Sequence, residues 1–156
     1  MKILHRLRQW MIVVLLLACL SSCSQEHKQA KAGLDGLWTG SMLGVTDAEF
    51  TLSINGDQMY FHGRGPGVDN WLRGSIVLNE MARPKEMDLQ VNEASNVDNL
   101  GSKILLIYDL HGDNLKLAAT TDNSNVRPAN FVGGEGTQGF FLKRTKNESV
   151  EIGAIK

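Results

Sequence analysis

The chain of 156 residues carries 16 lysines and arginines against 17 aspartates and glutamates, which gives a formal net charge of −1. This length suits one domain, and so balanced a charge leaves no basic stripe of the kind that binds nucleic acid. The two cysteines, Cys19 and Cys23, both lie near the N-terminus. The rest of the chain has no thiol for a disulfide, a thiolate zinc site or a cysteine nucleophile, so its fold must depend on a hydrophobic core.

The first residues have the layout of a secretory signal. Lys2, Arg6 and Arg8 precede an apolar run at residues 10–20 that is too short to span a bilayer comfortably. The sequence Leu20-Ser21-Ser22-Cys23 then resembles the lipobox of bacterial lipoproteins, in which the cysteine is lipidated and becomes the first mature residue. An ordinary signal peptide or an uncleaved anchor would be the alternatives.

The lipobox implies a membrane partner and a location. Residues 1–22 would be the signal peptide, and residues 23–33 a polar, flexible tether that begins at the lipidated Cys23. Several acyl chains such as palmitate, at about 0.8 kcal/mol per buried methylene, hold a protein stably on a bilayer. Cleavage would leave 13 basic and 17 acidic residues, a net charge of −4. An aspartate directly after the lipidated cysteine would resemble an inner-membrane retention signal, but this position holds Ser24. We therefore expect a cell-envelope protein on the outer membrane, facing the periplasm.

Beyond the tether, short runs rich in apolar and β-branched residues recur about every ten residues, with turn signals between them and no long helical periodicity. They predict eight strands, at residues 37–45, 48–54, 58–63, 71–78, 86–92, 103–110, 114–121 and 138–144. Eight strands in sequence indicate an all-β fold, an eight-stranded antiparallel up-and-down barrel over residues 34–144, followed by a tail at residues 145–156.

The hairpin at residues 102–121 has a register that can be predicted. With Gly112-Asp113 as the central pair of a type II′ turn, directly opposed residues have numbers that sum to 225. The opposed pairs on one side, which is apolar, are Leu110 with Leu115, Tyr108 with Leu117, and Leu106 with Ala119. The other side then carries a cross-strand ion pair between Asp109 and Lys116, as in a half-buried antiparallel sheet.

A second hairpin signal is Asn55-Gly56-Asp57, in which either Asn55-Gly56 or Gly56-Asp57 is the central pair. Both registers place the same apolar residues on the core face: Phe50, Leu52, Ile54, Met59 and Phe61. The glycine-rich residues 63–67 lack the Lys-Ser/Thr of a phosphate-binding loop and no helix follows them, so they predict a turn or rim loop.

Catalytic, metal and cofactor sites have no support in the pattern. His27, His62 and His111 show no spacing typical of a metal site, and no serine lies in a nucleophile motif. Glu86 and Asp88 share a strand face, but the apolar residues between and after them take the opposite face, which directs both carboxylates to solvent. We therefore expect no catalytic residue, no bound metal and no cofactor.

Two resemblances suggest a family. Gly36-Leu37-Trp38 in the first strand, with Arg144 closing the last, resembles the lipocalin signature, in which the arginine lies across the tryptophan ring. More specifically, several motifs resemble an uncharacterised lipocalin-like domain family common in planctomycetes, over residues 34–144. These motifs are Arg83-Pro84-Lys85 with Met87-Asp88-Leu89, then Ile107-Tyr108-Asp109-Leu110 with Gly112-Asp113 and Leu115-Lys116-Leu117, and then Arg127-Pro128 with Phe131. The resemblance implies a fold and no activity.

The interior of such a barrel is either filled by side chains or holds one small ligand. The sequence leaves both open. If there is a ligand site, Tyr108 offers it one hydroxyl, and the predicted lining comprises Phe50, Leu52, Met59, Phe61, Leu106, Tyr108 and Leu117. The first functional hypothesis is non-catalytic binding of a small apolar or amphipathic molecule.

The alternative hypothesis is a protein-interaction or inhibitor module of the cell envelope that acts through its loops. The longest loop, at residues 122–137, would then contact the partner. In a purely structural interpretation, Phe131 and Val132 of this loop cover the outward apolar residues Leu105 and Ile107.

Overall fold

The computed structural model describes residues 33–121 and 125–145, which form a closed barrel of eight antiparallel strands in up-and-down order. This confirms the predicted fold class. The signal peptide, most of the tether, including Cys23 and His27, and most of the C-terminal tail lie outside the described residues. No helix within these ranges is long and apolar enough to cross a bilayer. The strands are β1 (Gly36–Met42), β2 (Glu49–Asn55), β3 (Gln58–Gly65), β4 (Val68–Asn79), β5 (Lys85–Ala94), β6 (Lys103–His111), β7 (Asn114–Thr120) and β8 (Thr137–Arg144).

The β6–β7 hairpin has the predicted register, with Leu110 opposite Leu115 and Leu106 opposite Ala119. Gly112 has a φ of +57° and Asp113 has no positive φ, which identifies a type II′ turn. The predicted ion pair is wrong, although its two residues, Asp109 and Lys116, are directly opposed. The Asp109 carboxylate instead lies 3.1 Å from Nε2 of His111 on its own strand.

The structure resolves the turns that the pattern left open. Asn55 pairs with Gln58, so Gly56-Asp57 is the central pair of the β2–β3 turn, and the Gly56 N–H donates to Asp35 Oδ1 at 2.8 Å. Only Pro66-Gly67 forms the β3–β4 turn, because β3 and β4 continue their ladder to the Gly65–Val68 pair. β1 ends at Met42, three residues before the predicted end, because the chain turns at Gly44 with a φ of +79°.

Alternate residues of every strand face the interior and form one apolar core. The predicted inward residues belong to it, with Phe61 and Leu110 only partly buried. A side chain at position 63 would collide with the core, because a Cβ at Gly63 would lie 2.7 Å from Cε1 of Phe50. The core consists of Leu34, Trp38, Phe50, Leu52, Ile54, Met59, Ile76, Leu78, Met87, Leu89, Val91, Leu106, Tyr108, Leu115, Leu117, Phe140 and Leu142.

The two ends of the barrel differ. Up-and-down order places the start of β1, the end of β8 and the tight turns at residues 56–57 and 112–113 at one end, which we call the closed end. The opposite end, which we call the rim, carries the connections at residues 43–48, 66–67, 95–102 and 121–136. The connections at the rim are therefore mostly longer than those at the closed end.

Candidate ligand-binding site

The closed end is sealed by Trp38 and Arg144, which are paired across β1 and β8. The indole is fully buried and its Nε1 donates to the Leu34 carbonyl at 2.9 Å, while the Arg144 guanidinium carbon lies 4.0 Å from the ring centroid. Arg144 also donates to the Asp35 carbonyl and lies 3.2 Å from Asp113. A cation over an indole contributes about 0.5 to 2 kcal/mol, so this cluster locks the first strand to the last.

Gly36, the third residue of the predicted signature, lies directly beside this cluster. A Cβ at Gly36 would lie 2.7 Å from Nη1 of Arg144, and its φ of +134° is one that L-residues rarely adopt. Glycine therefore leaves the space that the guanidinium needs to reach the indole. All three signature residues thus meet at the closed end, where they stabilise the barrel.

A cavity of about 290 Å³ lies inside the rim half of the barrel. Its wall is mainly apolar, and polar groups occur where it approaches the rim, the usual composition of a small-molecule site. The apolar lining is Met42, Met59, Phe61, Leu72, Leu89, Ile104, Leu106, Leu117, Ala119 and Phe140, and the polar lining is Asn99, Lys103, Thr120, Thr121 and Gln138.

The predicted interior residues divide into two groups. Met59, Phe61, Leu106 and Leu117 line the cavity. Phe50, Leu52 and Tyr108 are buried but do not line it. Phe50 lies behind the wall, with its ring centroid 5.9 Å from that of Phe61 and 5.6 Å from that of Phe140.

Tyr108 does not offer its hydroxyl to the cavity, contrary to the proposed orienting role. The hydroxyl donates to Glu80 in the β4–β5 connection at the closed end, and Glu80 is paired with Lys85 at 2.6 Å. The Lys85 ammonium lies 5.8 Å from the Tyr108 ring centroid. Alternation along a strand predicts that the Tyr108 side chain faces the interior, but it does not predict where along the barrel axis the hydroxyl lies.

Comparisons with protein-family models, with curated proteins and with solved structures find no match to this chain. The resemblance to lipocalin-like proteins therefore remains a prediction.

A segment of the long β7–β8 connection, residues 125–132, which we call the outer strap, is attached to the outside of the barrel. The Arg127 Nη1 donates to the Met87 carbonyl at 3.1 Å and to the Leu106 carbonyl, so one side chain bridges β5 and β6. Phe131 passes so close to β8 that a Cβ at Gly139 would lie 2.4 Å from the Phe131 carbonyl oxygen.

The structural interpretation of this loop stays a prediction for Phe131 and is wrong for Val132. Ile107 faces outward and is nevertheless only 1% exposed, but Val132 is 74% exposed and so covers very little. The residues of the strap that turn inward are Pro128, which is buried, and Arg127 and Phe131, which are partly buried.

The carboxylates of Glu86 and Asp88 face outward as predicted, but they are not simply solvated. Arg127 donates to Asp88 through Nη2 and lies 3.5 Å from Glu86 through Nε, and Lys103 lies 2.6 Å from Asp88. Burial by itself would raise the pKa of Asp88, but hydrogen bonds from Lys103 and Arg127 and their positive charges outweigh it and hold the pKa below its ordinary value. This cluster connects the outer strap to Lys103, a residue of the cavity wall.

The histidines of the barrel make local contacts. His62 Nε2 lies 2.9 Å from Asp69 on the neighbouring strand, and His111 pairs with Asp109. Among residues 33–121 and 125–145, no group of three or more histidine, cysteine or acidic side chains is placed to hold a metal ion. Sequence reasoning missed Arg127 and Lys103 as residues next to the site, since neither lies on the apolar face from which the lining was predicted.

Proposed function

We propose that this protein is a lipid-anchored lipoprotein of the cell envelope whose lipocalin-like barrel binds a small apolar or amphipathic molecule without catalysis. The observation that carries the proposal is the cavity of about 290 Å³ inside the rim half of the barrel. Ordinary ligand pockets measure about 300 to 1,000 Å³, so this cavity suits a small ligand. Its mainly apolar wall favours an apolar group, because burying that group releases water from both surfaces.

A binding role is favoured over a catalytic one by the chemistry of the wall. The lining residues within the described part of the chain include no histidine, carboxylate or thiol, the groups that most often transfer protons or attack substrates. The alternative, an interaction module that acts through its loops, would be favoured by a solid interior, and the cavity does not meet that condition.

The first experiment is native mass spectrometry of the unit Leu34–Lys156, which contains all eight strands. The protein is incubated with an envelope extract and purified gently. We expect a stoichiometric small-molecule adduct that is lost on denaturation. A spectrum that shows only the mass of the protein itself would contradict the proposal.

A cavity-filling variant makes the experiment specific. Ala119 lines the cavity opposite Leu106, so Ala119→Phe places a ring in the space that the ligand would occupy. The matched control is Val77→Phe, because Val77 is 68% exposed on β4 and lies outside the cavity. We expect the adduct to disappear in Ala119→Phe and to persist in Val77→Phe, with both proteins folded by circular dichroism. Equal adducts in both variants would mean that the molecule binds elsewhere.

The proposed anchor has its own test, because Cys23 lies outside the described residues. We expect metabolic labelling with a fatty acid to mark the full-length chain in bacterial envelopes, and Cys23→Ala to lose the label while Cys19→Ala keeps it. Labelling that survives Cys23→Ala would exclude the predicted lipobox.

A further inference from the structure

The cavity borders the place at the rim where the backbone ladder between β6 and β7 ends. Their ladder ends at the pair of Leu106 with Ala119. Beyond it, among the described residues, the first residues of β6 pair with β5, where Ile104 lies opposite Leu89, and Thr120 of β7 pairs with Thr137 of β8. We call this gap in the backbone ladder, between residues 103–105 and residues 120–121, the side split.

Side chains replace the missing ladder at the base of the side split. Leu105 N–H donates to the Thr120 hydroxyl at 3.2 Å, so the hydroxyl stands in for a backbone acceptor of the facing strand. Residues on both sides of the side split, Lys103 and Ile104 on one and Thr120 and Thr121 on the other, line the cavity. The cavity therefore borders the side split.

A charged residue of the cavity wall, Lys103, stands at the side split, where its ammonium is paired with Asp88. Among residues 33–121 and 125–145, Lys103 is the only ionisable residue in the lining of the cavity, and no aspartate or glutamate of these ranges belongs to it. Its ammonium has three N–H donors and contacts Asp88 Oδ2 at 2.6 Å, so it can also donate a hydrogen bond to a second acceptor. Asp88 would then keep Arg127 as a partner and would not be left as an unpaired, partly buried carboxylate.

The size of the cavity restricts the apolar part of the ligand. Its volume of about 290 Å³ lies at the lower limit of ordinary pockets, which suits one acyl or alkyl chain better than two. Part of the cavity wall is formed by two aromatic rings, Phe61 of β3 and Phe140 of β8, whose centroids lie 5.3 Å apart. A chain that lies there would bring its polar end to the side split.

We propose that the cavity binds a single-chain amphiphile with an anionic head group, a carboxylate or a phosphate monoester, whose chain lies inside the barrel and whose head lies in the side split at Lys103. This proposal rests on the function proposed above and adds the class of ligand and the position of its head. It also assigns to Lys103 and Thr121 a role in specificity.

The first test compares head groups on one chain length. Decanoate, decyl phosphate, 1-decanol and decylamine are titrated into Leu34–Lys156 by calorimetry, below their micelle concentrations and at a pH where both acids are ionised. We expect the two anions to bind more tightly than the alcohol, and the amine most weakly. Comparison of decanoate with decyl phosphate shows which acid the site prefers.

Lys103→Gln should weaken binding of the anions about two- to fivefold, the range for partly exposed ion pairs, and leave the alcohol within error. A purely structural role of Lys103 would lower all affinities alike. The control is Lys116→Gln, an exposed lysine on the same hairpin that is not part of the cavity wall.

The second test locates the head group by adding a negative charge. Thr121→Glu places a carboxylate on the β7 side of the side split, and Thr46→Glu places the same charge on an exposed position of another rim connection. We expect Thr121→Glu to weaken decanoate binding about two- to fivefold and Thr46→Glu to change it much less.

The outcomes separate the two proposals. If 1-decanol binds in the cavity but anions bind no better, or if Thr46→Glu acts as strongly as Thr121→Glu, the inference about the head group is overturned and the binding function stands. If none of the four compounds binds and native mass spectrometry shows no adduct, the proposed function fails as well.

Discussion

Replacement of Arg144 by methionine tests whether the closed end holds the barrel together. The substitution keeps much of the apolar stem and the backbone pairing with Trp38, but it removes the guanidinium from the indole face. It also removes the charged hydrogen bond to the Asp35 carbonyl and the contact with Asp113. The barrel would then be closed by backbone pairing and the remaining core alone.

The magnitude follows from the contacts. A cation–π contact is worth about 0.5 to 2 kcal/mol and a hydrogen bond from a charged donor about 1.5 to 3 kcal/mol. The pair with Asp113, whose side chain is 60% exposed, adds little. Because such terms are not additive, we expect Arg144→Met to lower the free energy of unfolding by about 2 to 4 kcal/mol.

The assay is urea denaturation of Leu34–Lys156, in which the midpoint should fall while the slope is unchanged. Arg73→Met is the matched control, because Arg73 also lies over an aromatic ring, 5.6 Å from the centroid of Tyr60, and near a carboxylate, 3.8 Å from Glu93. Arg73 is on the exposed outer face, so we expect a loss below about 1 kcal/mol. Equal losses in the two variants would refute the assignment of Arg144 as the lock of the closed end.

Three further predictions concern single residues. Because the folded pKa of Asp88 is lowered, its interactions stabilise the fold above its unfolded pKa of about 3.9 and are lost as the pH falls through the folded value. In urea titrations, the free energy of unfolding of the wild type should exceed that of Asp88→Asn by about 1 kcal/mol from pH 5 to 8, and this difference should shrink below about pH 4. A difference that grows on acidification would contradict the cause assigned to the lowered pKa. Gly36→Ala should destabilise by about 1 to 3 kcal/mol and by more than Gly101→Ala, since both have positive φ but only Gly36 would crowd Arg144; equal thermal shifts would show that crowding is unimportant. Cys23→Ser should release the full-length chain from membranes into the soluble fraction on fractionation, and retention in the membrane fraction would point to an uncleaved anchor.

Several features of the fold follow from local patterns in the sequence. Alternation of apolar residues from Lys103 to Thr120 around a Gly-Asp pair defines a hairpin with only one register that keeps the apolar faces together, and the structure has that register. The same alternation predicts eight strands and their inward residues, because period-two patterning depends on the pleat of each strand and not on its neighbours. The local pattern does not determine the register of the Asn55-Gly56-Asp57 turn, because two choices of the central pair are equally compatible with the core face.

The sequence by itself thus determined the number of strands, their faces and the apolar core, all of which are properties of residues close together in the chain. Tertiary structure alone decided where the interior stays empty, because a cavity depends on how side chains from all eight strands fill one space. It also decided that Arg127 reaches the carbonyls of Met87 and Leu106, 40 and 21 residues away. Backbone carbonyls are the same in every residue, so no sequence pattern could have marked those two as partners of an arginine in the long loop.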